Sequence, residues 1–279
     1  MDSSNDDGFM TRIRTRLIRW ICPALIVCLT PAITDGDETP KNIYSQMDRA
    51  SRDGIGKVFL GREISHVMGH LGAAWLERSS RELEERPMTL VRSLGLKPGM
   101  NVADIGAGSG YFTRRIAPLI GPEGKVYAVD IQQEMLDILS EKLKSYDIEN
   151  VVPVLGTIDD PKLPENSIDV AIMVDVYHEF SHPWEMIQGM KKSLKPGGMI
   201  VWVEYRKEDP LVPIKELHKM SREQVDKEAQ FSGLTFDHSF DDLPRQHVLF
   251  YKKAESPAAG ESATEEESID GTADTKPKP

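Results

Sequence analysis

The sequence predicts a doubly wound α/β fold. A mostly parallel sheet of seven strands is covered by helices, closed by an antiparallel hairpin and preceded by a helical extension. From Met100 onward, short apolar runs alternate with amphipathic helical segments. A strand, a helix and a second strand in succession require a right-handed parallel crossover. The last two strands follow each other without an intervening helix, so they must be antiparallel.

The five predicted parallel strands are continuously apolar, as strands buried on both faces of a sheet must be. The helices between them carry apolar residues at the three- and four-residue spacing of one helix face. The predicted strands cover residues 101–105, 126–129, 151–155, 170–174 and 199–205, and the predicted helices cover residues 111–119, 134–143 and 184–194.

A last helix and the hairpin complete the predicted domain. Ser221 precedes a helical run to residue 231, with Gln224 at the capping-box spacing, and Gly233 ends the run. The hairpin strands are predicted over residues 234–240 and 247–252. The sheet therefore ends on an antiparallel pair.

A glycine-rich segment after the first strand, called the glycine loop below, is the main functional signal. It reads Asp104-Ile105-Gly106-Ala107-Gly108-Ser109-Gly110. Alternate glycines let the backbone adopt positive φ and let a ligand approach the peptide groups. The acid at the carboxyl end of the strand favours a cationic group and disfavours phosphate. A dinucleotide-binding loop needs a small residue where Tyr111 stands, so the spacing argues against that ligand.

A second acid is predicted to reach the same edge of the sheet. Asp130 ends the second strand, twenty residues after Gly110. A carboxylate at this place accepts two hydrogen bonds from a ribose diol. The two acids together predict a nucleoside ligand that also carries a positive charge.

The glycine loop, Asp130 and the closing hairpin resemble the class I S-adenosylmethionine-dependent methyltransferases, in particular the small-molecule-methylating, type 11-like members. The resemblance covers residues 87–253. It implies a Rossmann-like fold with S-adenosylmethionine as the cofactor. It places the glycine loop at the amino-acid end of that cofactor, Asp130 at the ribose and Ile131 against the adenine.

The resemblance also implies contacts from the later loops. Either Thr157 or Asp159 meets the exocyclic amine of the adenine, or the backbone at Ile158 does, because the Gly-Asp often found there in the family is absent. Asp175 ends the fourth strand. The implied cofactor-binding residues are Asp104, Gly106, Gly108, Gly110, Asp130, Ile131, Thr157, Ile158 and Asp175.

The loop after the fourth strand contains the only predicted catalytic residues, His178 and Glu179. With His182 they match the His-Glu-x-x-His pattern of zinc proteases, but the match begins at the end of a buried strand and runs into Pro183, so we predict no metal. The resemblance places this loop beside the transferring methyl group. His178 and Glu179 are therefore predicted to shape the substrate pocket or remove a proton, with capping of the next helix as the alternative.

Residues 41–95 are predicted to form a helical lead-in or cap. Glu63, His66 and His70 would share one helix face, a spacing that suits either a metal ion or a solvated surface. The alternative is that the segment covers the cofactor cleft and lends His66, His70 or Trp75 to the substrate pocket. Pro87 is predicted to occupy the first turn of a helix.

The two ends of the chain differ from the domain of residues 96–253. Four arginines precede an apolar stretch at residues 20–33, so residues 1–40 are predicted to be a signal peptide or an N-terminal anchor, with a miscalled or amphipathic N-terminus as the alternative. A functional signal would make the protein periplasmic or membrane-anchored; otherwise it is cytoplasmic. Residues 254–279 are polar and acidic and are predicted to be a disordered tail.

Composition limits the partners. The net charge of −11 argues against nucleic acid and anionic membranes, and leaves the N-terminal segment as the only predicted membrane contact. Both cysteines, Cys22 and Cys28, lie in that segment, so no disulfide or cysteine metal site is expected in the folded body. The sequence does not predict an oligomeric state.

Together these features predict methyl transfer from S-adenosylmethionine to a small-molecule or lipid-like acceptor by in-line displacement. The Asn/Asp-Pro-Pro-Tyr/Phe signature of base or amide methylation is absent after the fourth strand. Two alternatives stay open. One is a noncatalytic protein that binds S-adenosylmethionine or S-adenosylhomocysteine as a scaffold. The other is a nucleotide-dependent oxidoreductase, which Tyr111 and the hairpin disfavour.

Overall fold

The computed structural model describes residues 40–254. The predicted export segment and acidic tail lie outside this range, apart from their innermost residues. Within it, no helix combines the length and the apolar character needed to cross a membrane.

The strands are β1 (Tyr44–Gln46), β2 (Gly54–Phe59), β3 (Arg62–Ser65), β4 (Asn101–Ile105), β5 (Lys125–Asp130), β6 (Val151–Leu155), β7 (Ile168–Val174), β8 (Leu194–Tyr205), β9 (Leu234–Ser239) and β10 (Gln246–Lys253). The helices are α1 (Ala73–Leu76), α2 (Arg81–Glu85), α3 (Pro87–Ser93), α4 (Thr113–Ile120), α5 (Gln133–Ser145), α6 (Pro183–Ser193) and α7 (Arg222–Phe231).

The main sheet has the predicted seven strands, in the order β6-β5-β4-β7-β8-β10-β9. The pairs β4–β5, β4–β7, β5–β6 and β7–β8 are parallel, and β10 is antiparallel to both β8 and β9. The chain adds strands on one side of β4 and then returns to build the other side. The carboxyl end of β4 is therefore the point where the strand order reverses, and α/β sheets bind ligands there.

Apolar clusters cover both faces of this sheet. On one face, Trp202 of β8 packs with residues of α6 and α7, including Met190 and Val225. On the other face, Val102 of β4 packs with residues of α3 and α4, including Leu90 and Ile116. Burial on both faces is the reason that the central strands are mainly apolar. The prediction of such burial is wrong for β6, which lies at the edge of the sheet and leaves Val152 and Leu155 exposed.

The prediction of a helical lead-in is wrong for its first half. Strands β1, β2 and β3 form a separate antiparallel sheet, and helices begin only at α1. Phe59 and Ile64 are completely buried and pack with Trp184 of the main domain. Tertiary burial of alternating apolar residues outweighs the local helix propensity of this polar segment.

This sheet also separates the three residues that were predicted to share a helix face. Glu63 lies in β3, His66 follows it in extended chain, and His70 lies in a 3₁₀ turn. The Glu63 carboxylate accepts hydrogen bonds from the backbone nitrogens of Ser51 and Gly56, at 2.9 and 3.1 Å. Glu63 therefore has a structural role, because these hydrogen bonds connect β3 to β2 and to the segment before it.

Local signals further along the chain were predicted correctly. Pro87 is the first residue of α3. The Ser221 side chain accepts a hydrogen bond from the backbone nitrogen of Gln224 at 3.2 Å, which caps α7. Gly233, at φ +75°, follows the end of that helix. Caps and helix stops depend on neighbours in sequence, so they are predictable from the sequence.

Candidate functional site

The glycine loop needs glycine at each of its three alternate positions. The φ angles are +69° at Gly106, +52° at Gly108 and +79° at Gly110. A Cβ on Gly106 would lie 2.3 Å from a methyl carbon of Val176, and one on Gly110 would lie 2.1 Å from a methyl carbon of Leu139. Gly106 and Gly108 line a cleft, whereas Gly110 packs against α5. The predicted glycine turn is confirmed. Gly110 allows the turn to pack closely against α5.

The cleft, called the cofactor cleft below, lies at the carboxyl ends of the parallel strands. Most of the predicted site residues line it because these ends meet at one edge of the sheet. The predicted residues that line it are Gly106, Gly108, Asp130, Ile131, Thr157, Ile158, Asp175 and Glu179. Asp104, Gly110 and His178 are not among its lining residues.

Asp104 lies beneath the glycine loop. It is 3% exposed, and its Oδ2 accepts a hydrogen bond from the Thr113 hydroxyl at 2.6 Å. Burial raises the pKa of Asp104 to about 6. Asp104 therefore has no surface in the cleft, Thr113 holds its carboxylate, and its attraction of a cationic ligand stays a prediction.

Asp130 connects the glycine loop to the segment that follows β5. Its Oδ2 accepts a hydrogen bond from the Gly108 backbone nitrogen, and its Oδ1 accepts one from the Gln132 backbone nitrogen, both at 2.9 Å. Burial raises its pKa above the ordinary value. Asp130 thus orders the glycine loop and still borders the cleft, where its predicted contact with a ribose stays a prediction.

Two isoleucines mark the apolar part of the cleft. Ile131 and Ile158 keep 38% and 51% of their surface exposed while lining the cleft. Exposed apolar side chains on a concave surface are suited to the faces of a planar ring. The Thr157 hydroxyl donates to Asp159 Oδ1 at 2.6 Å, so these two candidate adenine contacts are bonded to each other.

Asp175 is held in an unusual conformation at the end of β7. Its φ is +51°, which costs energy for a residue with a Cβ. Its Oδ2 accepts a hydrogen bond from Gln246 Nε2 at 2.8 Å, and its buried Oδ1 has no hydrogen-bond partner among the described residues. Burial, and then the charges of Glu85 and Glu204, raise its pKa well above the ordinary value. A strained and partly unsatisfied acid of this kind is a candidate for a ligand contact.

His178 lies in a 3₁₀ turn directly after β7 and is completely buried. Its Nδ1 is 2.6 Å from Glu204 Oε2, and its Nε2 is 3.1 Å from Nδ1 of His218. Burial lowers the pKa of His178 to about 4. Both ring nitrogens have partners, so of its predicted roles, shaping the pocket fits better than removing a proton.

Glu179 lies between the cofactor cleft and a second cavity. Its Oε2 accepts a hydrogen bond from the Met68 backbone nitrogen at 3.2 Å. Burial raises the pKa of Glu179 to about 7. The alternative role of His178 and Glu179 as caps of the next helix is wrong, because α6 begins after His182 without a side-chain cap.

The second cavity has a volume of about 420 Å³ and shares Asp175 and Glu179 with the cofactor cleft. Its walls combine aromatic, apolar and charged side chains. They include His66, Trp75, Arg81, Tyr205, Ile214, Lys215 and His218. A cavity that adjoins a cofactor cleft in this way is the place expected for a second substrate.

Residues 41–95, called the N-terminal extension below, form part of the walls of both cavities. Met68 and Leu76 line the cofactor cleft, and His66 and Trp75 line the second cavity. Gln132 Nε2 donates to the Met68 carbonyl, and the His70 backbone nitrogen donates to Gln132 Oε1, both at 2.9 Å. The expectation that this segment covers the cleft agrees with these contacts, although the side chain of His70 is not among the lining residues.

Sequence reasoning missed several residues of the site. Glu204 had a detectable signal, since it is a charged residue in the otherwise apolar run of β8. His218 and Arg81 had none, because they come from a loop and a short helix that only the tertiary structure brings to the cavity. Gln132 directly follows a predicted site residue, but its bonds join segments far apart in sequence.

Comparison with known proteins agrees with the fold. Residues 96–258 match the family model described as a methyltransferase domain. The chain is 29% identical over 167 residues to the ubiquinone/menaquinone biosynthesis C-methyltransferase UbiE of Shewanella sediminis, covering 60% of this chain and 59% of that protein. The corresponding enzyme of Ectopseudomonas mendocina is 32% identical over 114 residues, covering 40% and 44%. The chain thus spans less than two thirds of the length of these curated relatives.

Solved structures share the fold. A SAM-dependent methyltransferase from Aquifex aeolicus has a TM-score of 0.63 at 24% identity, covering 66% of this chain and 98% of that one. A putative type 11 methyltransferase from Sulfolobus solfataricus has a TM-score of 0.51 at 22% identity, covering 64% and 98%. The family model covers more than half of the chain and includes the glycine loop, Asp130 and the closing hairpin. The chain therefore belongs to the methyltransferase-domain family and has the Rossmann-like class I methyltransferase fold.

Proposed function

We propose that this protein transfers the methyl group of S-adenosylmethionine to a small-molecule acceptor. One observation carries the proposal: the glycine loop, Asp130 and Asp175 line a cleft that shares a wall with a second cavity. The relatives are named as carbon methyltransferases of quinone biosynthesis, which supports a small organic acceptor.

The residues of the cleft fit S-adenosylmethionine. Gly106 and Gly108 line the cleft at positive φ, and the buried Oδ1 of Asp175 lacks a partner among the described residues. Asp130 would hold the ribose, Ile131 and Ile158 would lie against the adenine, and the Asp104 carboxylate would favour the ammonium group. The bound cofactor supplies a methyl group activated by a sulfonium.

The remaining residues align the acceptor and exclude water. Methyl transfer is an in-line displacement, so the protein contributes mainly by orientation. Met68 and Leu76 of the extension border the cleft, while His178 and Glu179 stand at the boundary with the second cavity. The acceptor would occupy the second cavity, with its reacting atom towards Glu179 and the methyl group.

Calorimetry with S-adenosylmethionine and S-adenosylhomocysteine tests the cofactor assignment. The wild-type protein should bind both, and Asp130→Asn should weaken binding by about tenfold or more, because one ribose acceptor and one loop contact are lost. Asp137→Asn is the matched control, since Asp137 is exposed on α5. Equal affinity in both variants, or no binding by the wild type, would contradict the proposal.

Two further measurements separate the alternatives. Binding of S-adenosylmethionine without turnover across a panel of acceptors would favour the scaffold function. Tight binding of NADH, followed by its fluorescence, would favour an oxidoreductase. We expect turnover with an acceptor and no NADH binding, because Tyr111 stands where a dinucleotide loop needs a small residue.

We further propose that residues 1–40 direct export or anchoring, on the basis of their arginines and the apolar stretch that follows. An exported enzyme would need a supply of S-adenosylmethionine outside the cytosol. A reporter fused to the first 40 residues tests this proposal. A cytosolic, uncleaved reporter would contradict it.

A further inference from the structure

Three side chains at the boundary of the second cavity have the chemistry of metal ligands. They are His178, Glu179 and His218, called the His-Glu-His cluster below, and one ligand atom from each lies within 4.8 Å of the others. His178 and Glu179 come from the turn after β7, and His218 comes from the 3₁₀ turn Glu216–His218 after β8. The cluster is therefore assembled by the fold and has no continuous sequence motif.

The three ligand atoms are spaced as a small metal ion requires. His178 Nε2 lies 3.1 Å from His218 Nδ1 and 3.9 Å from Glu179 Oε1, and the remaining side of the triangle is 3.7 Å. A circle through three points with these separations has a radius of about 2.1 Å, which matches zinc–nitrogen and zinc–oxygen bond lengths. An ion could thus contact all three atoms without a large movement of any side chain.

A second, independent feature orients one of these ligands. Glu204 of β8 is completely buried, and its Oε2 lies 2.6 Å from His178 Nδ1. A hydrogen bond from Nδ1 to this carboxylate directs the lone pair of Nε2 into the cluster. A carboxylate behind a ligating histidine is the usual outer support of a zinc site.

The turn that carries His178 is also held from the other side. Arg62 Nη1 and the Ser65 hydroxyl both donate to the His178 carbonyl at 3.2 Å. The turn is thus fixed by β3 on one side and by Glu204 on the other. Rigid support of this kind is what a metal site needs to select its geometry.

We propose that His178, Glu179 and His218 bind a divalent transition-metal ion of the zinc class through Nε2, Oε1 and Nδ1. Three protein ligands leave at least one coordination position open, as in catalytic zinc sites. His178, Glu179 and His218 all line the second cavity, so that position faces the cavity. This proposal replaces the sequence-based expectation that the site contains no metal.

The role of the ion rests on the proposed function. An acceptor with an acidic hydroxyl, such as a phenol or an enol, would place its oxygen at the open position. The metal ion lowers the pKa of that hydroxyl, and its proton passes to water. The resulting anion uses one electron pair to form the bond to the methyl carbon. The carbon–sulfur bond breaks, and its electron pair returns to sulfur, which leaves as a neutral thioether.

Metal binding is tested on the full chain after removal of metal with a chelator. Titration with Zn²⁺ against a chromophoric chelator should show one equivalent bound to the wild type. His218→Ala should lose about 100-fold in affinity or more, and Glu204→Gln about 10- to 100-fold. Co²⁺ as a second probe should give the absorption of a site with nitrogen ligands, which His218→Ala should lose. His218 retains 21% of its surface exposed, so its truncation should leave the fold intact, as circular dichroism can verify.

His238→Gln is the matched control, because His238 lies beside Asp237 on the surface and offers the same ligand types without the cluster. It should keep wild-type affinity for Zn²⁺. Equal affinity in the wild type and His218→Ala would overturn the inference, and so would an equal loss in His238→Gln.

Calorimetry with S-adenosylmethionine separates this inference from the proposed function. His218→Ala should bind the cofactor with the affinity of the wild type, since His218 does not line the cofactor cleft. Zinc binding without cofactor binding would contradict the proposed function alone, and cofactor binding without zinc binding would contradict this inference alone. Phenol added to the Co²⁺-loaded wild type should change its absorption, and an unchanged spectrum would overturn the proposed role of the metal.

Discussion

Asp104 shows how a single buried charge links the stability of the domain to its ligand. Its carboxylate lies under the glycine loop and has Thr113 as its hydrogen-bond partner. Burial raises its pKa from the ordinary value of 3.8 to about 6. The charged form is therefore disfavoured in the free protein and would be favoured by a nearby ammonium group. The charged form of Asp104 thus lowers the stability of the free protein, and we expect a bound cationic ligand to offset this cost.

This shift predicts a pH dependence of unfolding. The pKa of Asp104 is higher in the folded state than in the unfolded state. Its contribution to the free energy of unfolding is therefore most favourable below pH 3.8 and is lost as the pH rises through 6. Between pH 4 and pH 7, the wild type should therefore lose about 2–3 kcal/mol of unfolding free energy relative to Asp104→Asn. Urea unfolding of both proteins across this range measures the difference. Parallel pH profiles would show that Asp104 is not perturbed.

The elements before the main domain are tied to it by a buried ion pair. Arg62 of β3 forms two hydrogen bonds with the Glu228 carboxylate of α7, at 2.7 and 2.8 Å, and both side chains are nearly inaccessible. The same arginine holds the His178 carbonyl. Strand β3 therefore fixes both α7 and the turn of the His-Glu-His cluster.

Removal of one partner should be much more harmful than removal of both. Arg62→Met leaves the Glu228 charge buried without its partner, and we expect a loss of about 3–5 kcal/mol in unfolding free energy. Arg62→Met combined with Glu228→Leu should recover most of this loss, because neither charge of the pair is then left buried without the other. Chemical denaturation of the two single variants and the double variant tests this expectation. A double variant as unstable as Arg62→Met would show that packing, and not charge, dominates.

At the scale of the whole molecule, the reversal of strand order at β4 determines where the cofactor cleft lies. The N-terminal extension forms part of the wall of that cleft. Gln132 joins the extension to the loop after β5 through Met68 and His70. The extension thereby lines both the cleft and the second cavity. We expect entry and release of ligands to be faster when this connection opens.

Gln132→Ala should loosen this cover while leaving the main sheet unchanged. We expect faster hydrogen exchange at residues 66–72 and faster release of S-adenosylmethionine, because two hydrogen bonds to the extension are lost. Gln133→Ala is the matched control, since the Gln133 side chain donates a hydrogen bond within α5, to Asp137 at 2.8 Å, and has no hydrogen bond to residues 41–95 of the extension. Exchange and release should remain at wild-type rates in that control. Equal behaviour of the two variants would contradict a gating role for the extension.

The sequence alone determined the seven-stranded domain, because its strands, helix caps and glycine turns depend on neighbours along the chain. Burial on both faces makes the central strands β4 and β7 mainly apolar, and positive φ favours glycine at positions such as 106. The cofactor-cleft residues were predictable for the same reason, since parallel strands bring their carboxyl ends to one edge.

Only the tertiary structure decided the rest. The small sheet β1–β3 forms because Phe59 and Ile64 are buried against the domain, which local propensity does not reveal. His218 and Arg81 reach the second cavity from separate elements, and Glu204 contacts His178 from a third, so no spacing along the chain connects them. The sequence thus determined where the cofactor cleft lies, whereas long-range packing decided which residues surround the second cavity, because contacts between distant segments leave no periodic pattern.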